Sequence, residues 1–170
     1  MKVFIEEQKF TRPLFIGLSI ALIVTGVTII TEWETTLQSS LGEKLGALSG
    51  IFIVLLVILL FMNLKLKTRI DENGISYQFY PIHRSNKIIS WSNISNSYIR
   101  NYDAIFEYGG WGMKFNFFKK NKGKSFTTKG NIGLQLELKN GTKILIGTQK
   151  KEELQKVLNT YQQKILTNEV

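Results

Sequence analysis

The sequence predicts an α+β membrane protein in which a two-helix transmembrane hairpin precedes a curled antiparallel β-sheet or barrel capped by a C-terminal α-helix. Two apolar runs, at 14–30 and 45–64, contain no charged residue, and roughly 17 to 25 apolar residues suffice to cross a bilayer as a helix. After the second run the hydrophobic pattern alternates, which is typical of strands. The last segment returns to helical spacing, and these three observations set the fold class.

The two runs divide the chain into five parts. We predict a cytoplasmic N-terminal segment at 1–13, a first transmembrane helix at 14–31, an external loop at 32–44, a second transmembrane helix at 45–63 and a cytoplasmic domain at 64–170, whose C-terminal helix covers 150–166. Lysine and arginine flank the outer ends of the hairpin, whereas the loop between the runs is mostly acidic. Because positive flanks stay inside, we expect a multi-pass protein of the bacterial inner membrane with both termini cytoplasmic.

Small residues recur at every fourth position in both predicted transmembrane helices. They are Gly17, Ala21 and Thr25 in the first, and Gly42, Gly46 and Gly50 at the start of the second. Such spacing lets helix backbones approach closely in lipid. We expect the two stripes to pack against each other within one chain, with pairing between copies as the alternative, so the oligomeric state stays open.

The remainder of the chain reads as a succession of short strands. Leu64, Leu66, Thr68 and Ile70 alternate with charged residues, and an Asn-Gly turn at 73–74 leads into a second strand at 75–80. Further strands are predicted at 87–91, 95–102, 111–118 and 124–128. The clearest hairpin joins 132–138 to 142–148. A three-residue loop ending at Gly141 keeps its leucines and isoleucines on one face.

Three glycine-containing segments carry a resemblance to a known family. They read YGGWG at 108–112, GNIG at 130–133 and IGTQ at 146–149, directly before the terminal helix. Together with the two apolar runs, residues 64–166 resemble the pleckstrin-homology-like (PH-like) domain of bacterial proteins with two N-terminal transmembrane helices, a family of unknown function. The resemblance implies a seven-stranded curled sheet capped by a helix, and it supplies no catalytic residues. The first hairpin turn, at 71–74, is acidic and departs from the basic turn of phosphoinositide-binding relatives.

The most distinctive chemistry lies at 111–130, which holds six lysines and no acidic residue. These lysines are Lys114, Lys119, Lys120, Lys122, Lys124 and Lys129. A basic loop next to an anionic leaflet gains about 1 kcal/mol per lysine, so one interpretation is a patch that faces lipid or an acidic partner. The alternative is a solvated hairpin tip whose interleaved phenylalanines belong to the core.

Composition argues against several classes of function. The chain has no cysteine and one histidine, His83, so we expect no catalytic or metal-binding residues and no cofactor. From Leu64 onward, 18 Lys and Arg against 8 Asp and Glu give a net charge of +10, yet no nucleic-acid-binding signature is present, and nucleic acid is not expected as a partner. We expect a non-enzymatic, membrane-anchored PH-like interaction module that binds a protein partner or an anionic phospholipid. The alternative is an accessory subunit of a transport or envelope complex, recognised through its transmembrane helices.

Overall fold

The chain divides into two compact units, one of which is inserted into the sequence of the other. The computed structural model describes residues 2–10, 12–32, 35, 38, 40–115 and 123–166, with backbone only at 12–14, 43, 44, 47, 165 and 166. One unit combines Met1–Lys9 with Leu64–Val170, and the other is Phe10–Asn63.

The unit Phe10–Asn63 contains two helices, α1 (Arg12–Thr31) and α2 (Leu41–Asn63). Phe10 and Phe61 meet edge to face with 5.3 Å between their ring centroids. Large apolar side chains stay exposed on both helices, including Ile23 and Phe52. The two helices therefore do not bury all of their apolar residues against each other.

The prediction of two membrane spans at 14–31 and 45–63 is wrong. Crossing the hydrocarbon core takes about 20 consecutive, predominantly apolar residues, and in the described parts of the chain no helix has both the length and the apolar character for it. The predictions that depend on the spans are corrected with them. These are the transmembrane hairpin, the membrane as an integral partner and the multi-pass location in a bacterial inner membrane.

The first sheet has four antiparallel strands in the order β1-β2-β3-β4. They are β1 (Phe4–Lys9), β2 (Lys65–Asp71), β3 (Gly74–Tyr80) and β4 (Lys87–Ser90). In β2 the alternating residues Leu66, Thr68 and Ile70 are buried. Asp71 lies opposite Gly74, so the tight turn indicated by the Asn-Gly pair is confirmed.

The second sheet has five strands in the order β5-β8-β9-β7-β6. They are β5 (Ile94–Asn101), β6 (Gly112–Phe115), β7 (Lys124–Thr127), β8 (Ile132–Leu138) and β9 (Lys143–Gly147). Strands β7 and β9 run parallel, and the other pairs are antiparallel. In the last hairpin Leu136 lies opposite Ile144 and Glu137 opposite Lys143, and Gly141 has φ of 80°. The predicted three-residue loop is therefore confirmed.

Two short helical segments and one long helix complete this unit. They are a 3₁₀ turn (Trp91–Asn93), α3 (Ala104–Tyr108) and α4 (Lys151–Leu166). Helix α4 buries Leu154, Leu158 and Tyr161. The Tyr161 ring stacks on Trp91 with 5.4 Å between centroids, and the indole Nε1 of Trp91 donates to the carbonyl of Asp71 at 2.9 Å. The helix thus packs against the 3₁₀ turn that connects β4 of the first sheet to β5 of the second.

This architecture corrects the predicted fold class. The chain is an α+β fold with two β-sheets, instead of a transmembrane hairpin followed by one curled antiparallel sheet. The parallel pairing of β7 with β9 is incompatible with a purely antiparallel sheet. Within the predicted N-terminal segment 1–13, residues Phe4–Lys9 form an edge strand that pairs with β2, which the sequence pattern does not predict.

The N-terminal strand is fixed by two buried polar side chains, Glu6 and Gln8. One carboxylate oxygen of Glu6 accepts from the hydroxyl of Thr148 at 2.7 Å, and the other accepts from the backbone N–H of Gln149 at 2.8 Å. Gln8 donates to the carbonyl of Gly147 at 2.7 Å and accepts from the hydroxyl of Thr128 at 3.1 Å. Strand β1 therefore joins the first sheet to the end of β9.

We predict that Glu6→Ala lowers the free energy of unfolding by about 2 kcal/mol, because it leaves the buried hydroxyl of Thr148 and the backbone N–H of Gln149 without their acceptor. Urea unfolding of the full chain measures the loss. The matched control is Glu7→Ala, which removes an exposed carboxylate from the opposite face of the same strand and should cost less than about 1 kcal/mol. Equal losses in the two variants would contradict a role for the buried carboxylate.

Candidate functional site

The predicted lysine patch is only partly covered by the structure. Lys114 lies in β6, Lys124 begins β7 and Lys129 follows β7, whereas Lys119, Lys120 and Lys122 lie outside the described residues. Opposite residues of paired strands share a face. Lys114 is opposite Ser125, and Lys124 is opposite Phe115, so Lys114 and Lys124 are on opposite faces of the β6–β7 pair. The patch as a whole stays a prediction.

The small residues of the two helices also have definite places. Gly17, Ala21 and Thr25 lie on α1, while Gly42, Gly46 and Gly50 lie on α2. The Thr25 hydroxyl donates to the carbonyl of Ala21 at 2.9 Å. A Cβ added at position 17, 46 or 50 would meet no atom within 4 Å. The described residues thus show no close approach at these three glycines, and their part in packing stays a prediction.

A different group of basic and aromatic side chains meets where the two sheets approach one another. We call His83, Lys87, Phe115 and Lys124 the rim cluster. It surrounds two buried rings, Tyr77 from β3 and Phe126 from β7, whose centroids are 4.6 Å apart. The His83 centroid is 5.4 Å from Phe126 and 6.0 Å from Tyr77. Residues from both sheets therefore form one site.

The two lysines reach the rim from different strands. Lys87 is opposite Tyr77 in the β3–β4 ladder, so its Cβ is on the inner face at the exposed end of β4. The ammonium nitrogen of Lys124 lies 5.8 Å from the centroid of Phe115, over the ring. This cation–π contact orients Lys124 without neutralising its charge.

His83 is held in a tight turn after β3. Its backbone N–H donates to the carbonyl of Phe79 at 2.8 Å, and its Nδ1 accepts from the backbone N–H of Phe79 at 3.2 Å. Burial, and after it the charges of Lys87 and Lys124, lower the pKa of His83 below its ordinary value of 6.5. Because Nδ1 is an acceptor in the neutral ring, the proton is assigned to Nε2. Among the described residues, Nε2 has no hydrogen-bond partner.

A second polar cluster lies on the other face of the second sheet. The Arg100 guanidinium binds both carboxylate oxygens of Glu107, at 3.1 and 2.9 Å, and also donates to the hydroxyl of Tyr108 at 3.0 Å and the side-chain oxygen of Gln135 at 3.1 Å. Asp103 caps α3 by accepting from two backbone N–H groups. These charges are paired internally, so the cluster positions α3 and presents no uncompensated group to a ligand.

Burial perturbs two tyrosines beside that cluster. It raises the pKa of Tyr102 to about 12 and also raises the pKa of Tyr108. The two rings meet edge to face at 6.3 Å and pack with Ala104 and Leu145. Both phenols stay protonated at neutral pH and act as packing groups.

Sequence reasoning missed the main members of the rim cluster. It noted His83 only as the single histidine and did not single out Lys87. The alternation of Lys87, Ile89 and Trp91, of which the last two are buried, was the available signal that Lys87 belongs to the inner face. The sequence also carries a signal for α3, because an aspartate before A-I-F-E is typical of a helix start.

The described residues contain no group of three or more His, Asp or Glu side chains that could hold a metal ion. Comparison with protein-family models, curated proteins and solved structures gives no match. The resemblance to bacterial PH-like proteins with two transmembrane helices is therefore corrected, since no family match and no membrane-spanning helix among the described residues supports it.

We predict that part of the pH dependence of stability comes from His83. Its native pKa lies below 6.5, so the unfolded chain binds the proton more readily. The stabilisation from the neutral ring is present above pH 6.5 and is lost as the pH falls through the lower native pKa. Urea unfolding between about pH 7.5 and 5 should show a larger loss for the wild type than for His83→Gln, which keeps an uncharged acceptor. Parallel curves for the two proteins would contradict this assignment.

Proposed function

We propose that the chain is a non-enzymatic interaction module whose rim cluster binds an acidic segment of a partner protein. The proposal retains the interaction role expected from the sequence and omits the membrane anchor. It also omits the accessory-subunit alternative, which required recognition through transmembrane helices.

The observation that carries the proposal is the contrast between paired and unpaired lysines. Of the five other lysines in the described strands of this unit, three lie beside carboxylates, whereas Lys9 and Lys114 form no ion pair with a described carboxylate. Lys65 and Lys67 pair with Glu7, and Lys143 pairs with Glu137. By comparison, no ion pair joins Lys87 or Lys124 to a carboxylate of the described chain. Their positive field is left for an external anion.

His83 adds a neutral donor to this field. With Nδ1 occupied by the N–H of Phe79, the Nε2–H group is the donor that a carboxylate can accept from. Lys87 shares the inner face of the first sheet with Tyr77, and Lys124 shares a face of β7 with Phe126; both of these rings pack against His83. A carboxylate placed there would be bound by two cations and one oriented N–H group.

The aromatic residues favour a peptide over a free small anion. Phe115 is 41% exposed, and its ring lies beside Phe126 at 6.5 Å between centroids. Apolar surface next to unpaired cations suits a segment that carries both acidic and apolar side chains. The net charge of the unit also favours an acidic partner. Residues 64–170 carry +10, and Lys2 and Lys9 cancel Glu6 and Glu7, so the unit as a whole carries +10.

We predict that a fluorescein-labelled peptide of alternating Glu and Val binds the full chain, with weaker binding as salt rises from about 0.05 to 0.5 M because screening shortens the reach of the lysine charges. Lys87→Gln combined with Lys124→Gln should weaken binding about five- to tenfold, measured by fluorescence anisotropy. The assay is carried out in a non-ionic detergent, which covers the exposed apolar residues of α1 and α2 without adding charge.

The matched control is Lys151→Gln combined with Lys156→Gln, which removes the same charge from exposed positions on α4. Its affinity should stay within about twofold of the wild type. A peptide with Gln in place of Glu should bind neither protein. Equal weakening by the rim and α4 variants would reduce the effect to net charge and reject the rim cluster as the binding site.

A further inference from the structure

Strand β4, which contributes Lys87 to the rim cluster, has a free edge. It is the last strand of the first sheet and pairs only with β3 among the described strands. None of the backbone hydrogen bonds formed outside helices and strands by the described residues involves 87–90. The edge therefore offers N–H and C=O groups for pairing with another strand.

A groove runs along this edge, between β4 and the turn after β8. Its volume is about 370 Å³. It is lined by Ile88, Ile89, Asn93, Leu138, Lys139 and Asn140. Ile88 is 68% exposed and faces away from the core, whereas Ile89 is 8% exposed and faces into it. The groove thus brings the exposed Ile88 and Lys139 together, and Lys87 precedes Ile88 in the strand.

We propose that the acidic partner segment binds in an extended conformation as an added strand on the free edge of β4. This inference rests on the proposed function and specifies how the partner is held. Main-chain hydrogen bonds would provide affinity, and side chains on alternate faces would provide selectivity.

The register of β4 defines the side chains that such a segment needs. Successive residues of a strand point to opposite faces, so the residue beside Ile88 lies on the outer face and its neighbour beside Lys87 lies at the rim. The sequence preference is therefore an apolar residue next to an acidic one. A second acidic residue at the far end of the segment would lie near Lys139, which is exposed on the other wall of the groove.

Charge also argues against a second copy of the chain as the occupant. A lysine on an edge strand discourages pairing with a strand of the same positive character. The protein has a net charge of +9, so its own copies repel one another, whereas an acidic strand is attracted. Lys87 thus both protects the edge from self-association and selects the partner.

Alternate N-methylation of the Glu-Val peptide tests the geometry with the full chain. Only every second amide of an added strand points toward β4. Of two peptides methylated at odd or at even positions, one should lose at least about tenfold in affinity while the other keeps most of its binding. Hydrogen exchange should slow at the amides of residues 87–90 when the parent peptide binds. Equal affinities of the two methylated peptides would overturn strand addition.

A pair of side-chain variants complements the methylated peptides. Ile88→Thr should weaken binding about fivefold, because it removes the apolar neighbour on the outer face. Ile105→Thr is the control, since Ile105 on α3 is similarly exposed at 61%. Binding that depends on Lys87 and Lys124 but ignores both methylation and Ile88→Thr would reject the added strand and leave the proposed function standing. If the parent peptide fails to bind the wild type, the proposed function itself fails.

Discussion

The fold depends on the attachment of the N-terminal strand by Glu6 and Gln8. Both side chains are buried, and every oxygen and nitrogen of the two forms a hydrogen bond with a residue within 128–149. Buried polar groups stabilise a unique arrangement only when every member finds its partner. Because α4 begins two residues after Gln149 and the Tyr161 hydroxyl donates to the carbonyl of Lys2 at 2.6 Å, the same attachment also sets where the terminal helix lies.

The pairing of β1 with β2 shows how the two units are joined in sequence. The chain leaves the sheet after Lys9 and returns at Lys65, and these two residues lie opposite each other in the β1–β2 ladder. Residues 10–63 are therefore an insertion between two paired strands. The insertion is connected to both strands of this ladder, and β1 is held by β2 and by the hydrogen bonds of Glu6 and Gln8.

Elements that are determined by residues close together in the sequence could be predicted from the sequence. The turn at 71–74 and the last hairpin follow from Gly74 and Gly141 and from alternating hydrophobic residues, so both could be derived from the sequence. Strand β1 could not, because its buried face carries Glu6 and Gln8 while the apolar Ile5 is 58% exposed. That pattern makes sense only when the partners more than 100 residues away are known. The parallel pairing of β7 with β9 was hidden for the same reason, since no turn sequence specifies it.

The candidate site shows the same division between local and distant information. The number of lysines at 111–130 indicated a segment that contains Lys124 of the rim cluster. Only the strand register shows that Lys114 and Lys124 lie on opposite faces of the β6–β7 pair. The rim cluster forms because the β3–β4 turn brings His83 and Lys87 to the face that β7 presents. Ion pairs with carboxylates then distinguish the basic side chains that are neutralised within the fold from those of the rim cluster. Carboxylates pair with Lys65, Lys67, Arg100 and Lys143. By contrast, Lys87 lies on a strand edge without a described partner strand, and Lys124 lies beside the exposed ring of Phe115. The acidic extended segment that we propose would meet complementary charge and main-chain partners there.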